Sequence, residues 1–457
     1  MQDELELMAD ADARAARYIG SVQTRRVFPD QEALDGLGRF SEDLPKEGRP
    51  PAEGLALLDD AGSPATVTSN GPRYFGFVVG AALPAAAAAD RLIGAWDQGA
   101  TLAMTSPVSA KVEEVAAQWI LEILDLPRES AVGFGTSATA CGITCLAAAR
   151  RSLLKKHGWN LDEDGLIGAP ALKVVVSEKI HIVVLKALRI LGFGKKDILL
   201  APVDAFGRVD PARLPVVDDK TIVCLQAGEV NTGEFDPFPE IISTAKAAGA
   251  WVHVDGAFGL WARASAPSRH LTEGIELADS WTTDGHKWLN TPYDSAMAIC
   301  RDADALAEAM NSDAIYASGS KKAQKNLTLE FSRRARGIPV WAALRALGRT
   351  GVAELVERHI AQAKRLATEL EAAGFEILNR VALNQVLVRA SSDQTTNWIR
   401  SEVERSGEAW FGGTIWNGRA AFRLSVSSWR TTDDDIGRLI ALLIRLQGQA
   451  RREEVSQ

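Results

Sequence analysis

Two side chains suggest a chemistry before any other feature does. Asp255 closes the short apolar run Trp251-Val-His-Val-Asp and is followed at once by Gly256. A run of that kind reads as a buried strand, so its carboxylate should emerge at the carboxyl edge of a sheet, where open α/β folds gather their ligands. Just after the next short strand comes Asp284-Gly-His-Lys-Trp-Leu, which sets Lys287 thirty-two residues beyond Asp255. Lys287, between His286 and Trp288, has the apolar kind of setting that makes an amine nucleophilic. An acid and a lysine at one sheet edge suit an enzyme that forms a Schiff base with pyridoxal 5'-phosphate. The lysine would hold the aldehyde, and the acid would keep the pyridine nitrogen protonated so that the ring can accept electrons. Singly, each residue has a plainer reading, a helix cap for Asp255 and a surface lysine for Lys287; as an ordered pair at this spacing, those readings lose ground.

The elements that must position this pair are legible in outline. Short β-branched runs at Leu172–Ser177, Ile198–Ala201, Thr221–Gln226, Trp251–Asp255, Ser280–Thr283 and Ala296–Cys300 alternate with helical segments. That alternation predicts an α/β fold with a mostly parallel sheet covered on both faces. Val112, Val115, Ala116, Trp119, Ile120 and Ile123 recur at three- and four-residue steps, which predicts an amphipathic helix over Val108–Leu124. The string Gly133-Phe-Gly-Thr-Ser reads as a Gly-rich turn, followed by a helix from Ala140 to Lys156. Residues 1–70 read as helical pieces broken at Pro29, at Pro45 and by a loop from Gly48 to Gly54. Beyond Pro339 a helix is expected over Val340–Glu371, then strands at Glu376–Leu378, Gln385–Arg389 and Ala421–Val426. The last helix should turn Ile436, Leu439, Ile440, Leu443 and Ile444 inward. The expected division is an N-terminal helical segment over 1–70, a large domain over 71–338 and a smaller α+β domain over 339–457.

The strings around the pair carry a resemblance. His253-Val-Asp-Gly-Ala, then Ala278-Asp-Ser-Trp-Thr-Thr-Asp-Gly-His-Lys-Trp-Leu, resemble the pyridoxal-phosphate-dependent group II amino-acid decarboxylases, which have the aspartate-aminotransferase fold (fold type I). The similarity runs from about Pro72 to the C-terminus. It includes Pro72-Arg-Tyr-Phe-Gly, Thr105-Ser-Pro, the Gly-rich turn, Ser177-Glu-Lys-Ile-His, Asn231-Thr-Gly-Glu-Phe-Asp-Pro and Phe422-Arg-Leu-Ser-Val, in the family's order. The resemblance implies that Lys287 forms the Schiff base, that Asp255 pairs with the pyridine nitrogen, and that Ala257 and His181 lie on the two faces of the ring. Ser137, Ala138 and Thr139 would cradle the phosphate, where a helix opens with free N–H groups and its positive dipole end. His286 would lie near phosphate and substrate, with Asn231 and Thr232 in a loop near the ring oxygen or substrate. Arg423 is the candidate for the substrate carboxylate, a bidentate contact that suits a guanidinium, with Arg419 and Arg430 as competitors. Tyr74, Phe75, Trp96 and Met104 come from segments that line the family's substrate pocket and lean towards an aromatic or bulky side chain.

One departure bears on the reaction. Aligned on Arg333-Arg334, the position of the family's proton-donating loop tyrosine falls on Gln324, and the one tyrosine of that segment is Tyr316, eight residues earlier. Either Tyr316 reaches in, or the proton comes from another group such as His181, or the reaction is not a simple decarboxylation. The expected activity is decarboxylation of an L-amino acid to the amine and carbon dioxide. The alternative is another reaction on the same scaffold, a carbon–carbon lyase acting on a β-hydroxy amino acid or an aminotransferase.

Composition narrows the classes. The 457 residues carry 51 Lys and Arg against 59 Asp and Glu, a formal net charge of −8, and 46% are hydrophobic. This is globular composition, and a net negative chain without a basic block is a poor nucleic-acid binder. No apolar run reaches the roughly 18 residues of a membrane span; the longest, Ala81–Ala89, contains Pro84 and stops at Asp90. The acidic start Met1-Gln-Asp-Glu-Leu-Glu is unlike a secretory signal. Four cysteines are too few for a disulfide framework, so buried reduced thiols and a cytoplasmic location are expected, with no metal site. The family forms dimers, and the apolar residues Leu5, Leu34, Leu37 and Leu44 fit an arm over a partner subunit, so a homodimer is expected.

Overall fold

The computed structural model describes residues 2–311 and 323–455. A seven-stranded sheet is built from β1 (Ala131–Gly135), β2 (Lys173–Ser177), β3 (Ile198–Ala201), β4 (Thr221–Gln226), β5 (Trp251–Asp255), β6 (Ser280–Asp284) and β7 (Ala296–Cys300), in the order β1-β7-β6-β5-β4-β2-β3. β3, β2, β4, β5 and β6 run parallel, and β7 lies antiparallel between β6 and β1. Every residue of β4, β5, β6 and β7 is buried, as expected of central strands covered on both faces. The apolar strand residues Val174, Val176 and Ile222 pack with Leu146, Leu153 and Leu154 of the helix Ala138–Lys156.

By compactness the chain forms two units, residues 82–364 with 379–386, and residues 1–81 with 365–378 and 387–457. The larger holds the seven-stranded sheet. The smaller holds, apart from the first two residues of β9, an antiparallel sheet of β8 (Glu376–Ile377), β9 (Gln385–Arg389), β10 (Gly412–Trp416) and β11 (Arg419–Ser425), in the order β10-β11-β9-β8. It also holds the N-terminal helix Gln2–Ser21 and the final helix Asp433–Val455.

Four local expectations need correction. Gly133, Phe134 and Gly135 belong to β1 rather than to a turn. The two glycines allow close approach: a Cβ on Gly133 would come 1.9 Å from the Leu327 carbonyl oxygen, and one on Gly135 2.9 Å from Cys141 Sγ. The following helix begins at Ala138, because Ser137 caps it by accepting the Ala140 N–H at 3.3 Å. Within the expected loop 48–54, Pro51 instead starts the helix Pro51–Leu57, its fixed φ and missing N–H both suited to a first turn. In the final helix Ile436, Leu439, Ile440 and Leu443 are buried as expected, but Ile444 is exposed, and Leu442 and Leu446 complete the inner face. Strand β10 is an addition to the expected strands; it opens on Gly412 and Gly413, which carry no strand signal. All four cysteines are buried and unpaired, and among the described residues no helix is long and apolar enough to cross a membrane.

Candidate active site

The parallel strands end in polar residues at one edge of the sheet: Gln226 closes β4, Asp255 closes β5 and Asp284 closes β6. Register sets Gln226 beside Asp255, and Asp255 beside Thr282. The Asp255 carboxylate is buried and accepts the Ala257 N–H at 3.1 Å through Oδ1. Burial raises its pKa, while His181 and Lys287 nearby pull it back down. Ala257 is fixed in turn by its carbonyl, which accepts from Asp284 N at 2.9 Å.

Lys287 sits in the loop that joins β6 to β7, and this loop is tightly pinned. Gly285 N and His286 N both donate to the Ser295 carbonyl, at 2.9 and 3.2 Å, and Thr291 N donates to Gly285 O at 3.1 Å. Trp288, almost wholly buried, donates its indole N–H to His359 Nδ1 at 2.8 Å. Asn290 adopts a left-handed φ of 57° and donates to Trp288 O at 2.7 Å. The amine is therefore presented from a preorganised turn. Its setting is not purely apolar: Nζ lies 3.1 Å from Asp284 Oδ2.

Asp284 is the residue that the sequence reading passed over. Its other oxygen accepts the Ala138 N–H at 2.7 Å, in the first turn of the helix capped by Ser137. One carboxylate thus joins the lysine loop to the expected phosphate cradle of Ser137, Ala138 and Thr139. A signal was available, since an acid closing a strand three residues before the lysine is placed like Asp255. His286 Nε2 is 3.8 Å from Asp284 Oδ2, and its ring stacks on Tyr293 with centroids 4.2 Å apart. Burial lowers the His286 pKa, so the ring is neutral near pH 7. Its Nδ1 accepts from Ser295 N at 3.2 Å, which assigns the proton to Nε2.

His181 opens the helix Ile182–Ile190 as its cap, with Nδ1 accepting from Val183 N at 3.4 Å; its own N–H donates to Gln226 Oε1 at 3.1 Å. His181 thus caps its helix and also lies near enough to Asp255 to lower that acid's pKa. Asn231 and Thr232 fold onto Glu229, a buried acid missing from the sequence reading. Glu229 accepts from Asn231 N and Nδ2 at 2.8 Å each, and from Thr232 N and Oγ1 at 2.7 and 3.0 Å.

Gln324 is stitched to the edge of β1: Phe134 N donates to its Oε1 at 3.1 Å, and its Nε2 donates to Val132 O at 3.0 Å. The side-chain amide thus stands in for the peptide of a neighbouring strand. Tyr316 lies outside the described residues. Phe75 and Arg423 belong to the smaller unit. Phe75 is fully buried, its peptide bonded to Trp410 O at 2.8 Å and to Ser425 N at 2.9 Å, and Arg423 is half-buried on β11. Of its competitors, Arg419 is paired with Glu376, and Arg430 lies over the Trp429 ring at 4.5 Å. Tyr74 stacks on Trp410 with centroids 5.0 Å apart, while Trp96 and Met104 are exposed.

The donor set around Lys287 fits pyridoxal 5'-phosphate. It offers a loop-borne amine for the aldehyde, a buried carboxylate for the pyridine N–H, and a capped helix N-terminus for the phosphate. The comparisons agree. Residues 60–391 match the pyridoxal-dependent decarboxylase conserved domain. The aromatic-L-amino-acid decarboxylase of Bacillus atrophaeus is 25% identical, covering 94% of this chain and 92% of its own length. The L-2,4-diaminobutyrate decarboxylase of Rhizobium meliloti (strain 1021) is 27% identical over 99% of this chain and 91% of its own. Among solved structures, Oryza sativa TDC with PLP and tryptamine superposes with a TM-score of 0.90 at 22% identity, covering 98% of both chains. That likeness establishes the aspartate-aminotransferase-type fold expected from the sequence.

Proposed function

Because the chain belongs to the pyridoxal-dependent decarboxylase family, and so is a pyridoxal-phosphate-dependent carboxy-lyase acting on amino acids, we propose that it decarboxylates an L-amino acid with an aromatic or bulky side chain, with Lys287 as the amine that holds the cofactor. The observation that carries this reading is the convergence at one sheet edge of Lys287, the buried Asp255 and, through Asp284, the first turn of the Ala138 helix. When bound, pyridoxal phosphate supplies the electron sink for the carbanion left at the substrate's α-carbon. Asp255 holds the pyridine N–H, and its burial strengthens that contact. Ala257 and His181 bound the ring's two faces. Ser137, Ala138 and Thr139 take the phosphate, and His286, neutral with its proton on Nε2, offers a donor beside it. Asn231 contributes a polar contact whose direction Glu229 sets.

The proposed clamp for the substrate carboxylate is Arg423, with Phe75 against the substrate, and the orientation they impose would select which α-carbon bond breaks. The aromatic lean is supported by the relative named aromatic-L-amino-acid decarboxylase, while diaminobutyrate is the competing substrate class suggested by the other. The proton that replaces carbon dioxide is assigned to Tyr316 or His181. A second reading, carbon–carbon lyase or aminotransferase, is favoured by one observation: Gln324 is committed to β1 where the family places its tyrosine. We further propose a homodimer in the cytoplasm. The exposure of Leu44 and Leu5, at 94% and 64%, supports the dimer, since these apolar side chains have no cover in the single chain.

The test is product analysis on a panel of aromatic, branched and diamino acids with the wild type and Lys287→Ala. The expected result is amine and carbon dioxide in equal amounts from the wild type. The variant should produce neither, and should lose the cofactor absorbance that borohydride fixes in the wild type. Keto acid, or aldehyde with glycine, appearing without carbon dioxide would overturn the decarboxylase reading of this chain. Light scattering at micromolar concentration tests the dimer, which a monomer mass would refute.

A further inference from the structure

Asp284 occupies the place that the proposed reading gives to the phosphate. It is 2% exposed and its two oxygens have different partners. Oδ1 takes the Ala138 N–H at 2.7 Å, and Oδ2 lies 3.1 Å from Lys287 Nζ and 3.8 Å from His286 Nε2. The charged or titratable groups that face it are Lys287, His286 and Tyr293 from its own loop, Cys141 from the Ala138 helix, and Asp255 from β5. Lys287 is the one cation of that set, since His286 is neutral. A carboxylate at a helix N-terminus is stabilised by the same free N–H groups and dipole end that hold a phosphate. Two anions competing for one N–H repel, and the repulsion is strong where water is excluded.

We propose that Asp284 is a positioning residue that keeps the cofactor-free site assembled, capping the Ala138 helix and holding the Lys287 amine, and that it must release the Ala138 N–H for the phosphate to dock. It then stays with Lys287. The carboxylate thus preorganises the amine and the phosphate cradle together, and phosphate binding works against its charge. This inference rests on the reading that the Ala138 helix receives the phosphate, and the two can fail separately.

The experiment uses the full chain stripped of cofactor and two probes without an aldehyde, which cannot react with Lys287: pyridoxine 5'-phosphate and pyridoxine. Asp284→Asn keeps an acceptor for the Ala138 N–H but removes the charge and adds a donor. Asp284→Ser does so with a smaller side chain, in case the first variant folds poorly; circular dichroism checks both. Removing one adjacent like charge should tighten pyridoxine 5'-phosphate by about tenfold in the folded variants, leaving pyridoxine unchanged. Equal or weaker binding of the phosphorylated probe by the folded variants overturns the role of Asp284 alone. A wild type that does not prefer the phosphorylated probe to pyridoxine overturns the phosphate reading, and this inference with it.

Discussion

Glu113→Ala should be among the most damaging single substitutions outside the cofactor site. Glu113 lies on the helix Pro107–Ile123, and its side chain and that of Arg333 are 1% and 0% exposed. The pair is bidentate: Arg333 Nη1 donates to Oε1 at 3.0 Å, and Nη2 donates to Oε2. Gly337 N donates to the same Oε1 at 3.0 Å. Losing the carboxylate strands a buried guanidinium and one buried N–H. Breaking a buried pair from one side costs about 3–5 kcal/mol, and an orphaned N–H adds about 1, so roughly 5 kcal/mol is expected. That is a large share of the ~5–15 kcal/mol typical of a folded domain. Urea unfolding followed by tryptophan fluorescence would show it as a lower midpoint at unchanged slope. The double variant Glu113→Leu/Arg333→Met should recover much of the loss, because replacing both charges by apolar groups removes the stranded ion. Arg333 also reaches the Phe134 carbonyl at 3.5 Å, three residues before the Ser137 cap, so cofactor retention should fall with stability in the single variant. A loss under about 1 kcal/mol, or a double variant no better than the single one, would refute the argument.

Two further outcomes rest on other parts of the structure. Gly285→Ala places a methyl 2.5 Å from Ser295 Oγ and 2.7 Å from Thr291 Oγ1, both buried hydroxyls. Relieving this clash should cost about 1–3 kcal/mol and shift the turn that carries Lys287, lowering the melting temperature and the cofactor kept after dialysis; a variant matching the wild type in both would disprove it. His253 is buried with its Nδ1 2.9 Å from Ser280 Oγ, and burial lowers its pKa from 6.5 to about 3. The depressed pKa means that neutral His253 stabilises the fold above pH 6.5, and that this contribution is lost as pH falls towards 3. Relative to His253→Asn, which cannot titrate, the wild type should lose about 1.4 kcal/mol per pH unit across that window. A stability difference between the two proteins that is independent of pH would contradict this.

The cofactor chemistry and most strands were legible in the sequence because both are written locally. Ile198–Ala201, Thr221–Gln226, Trp251–Asp255 and Ala296–Cys300 are observed as β3, β4, β5 and β7, since a short β-branched run between breakers has few other uses. Asp255 and Lys287 stood out because residue type and distance from a strand end are also local properties. Local pattern misled where a glycine served a distant neighbour, as Gly133 does for the Leu327 carbonyl, and where a side chain replaced a strand, as Gln324 does on β1. Only the tertiary structure set β7 antiparallel between β1 and β6, and only it brought Asp284 to the Ala138 N–H across 146 positions of chain. Which strands become neighbours is decided by the burial of whole faces and the closure of long loops. Residue types and short spacings determine what the site can do; the packing of distant segments determines which charge stands beside which amine.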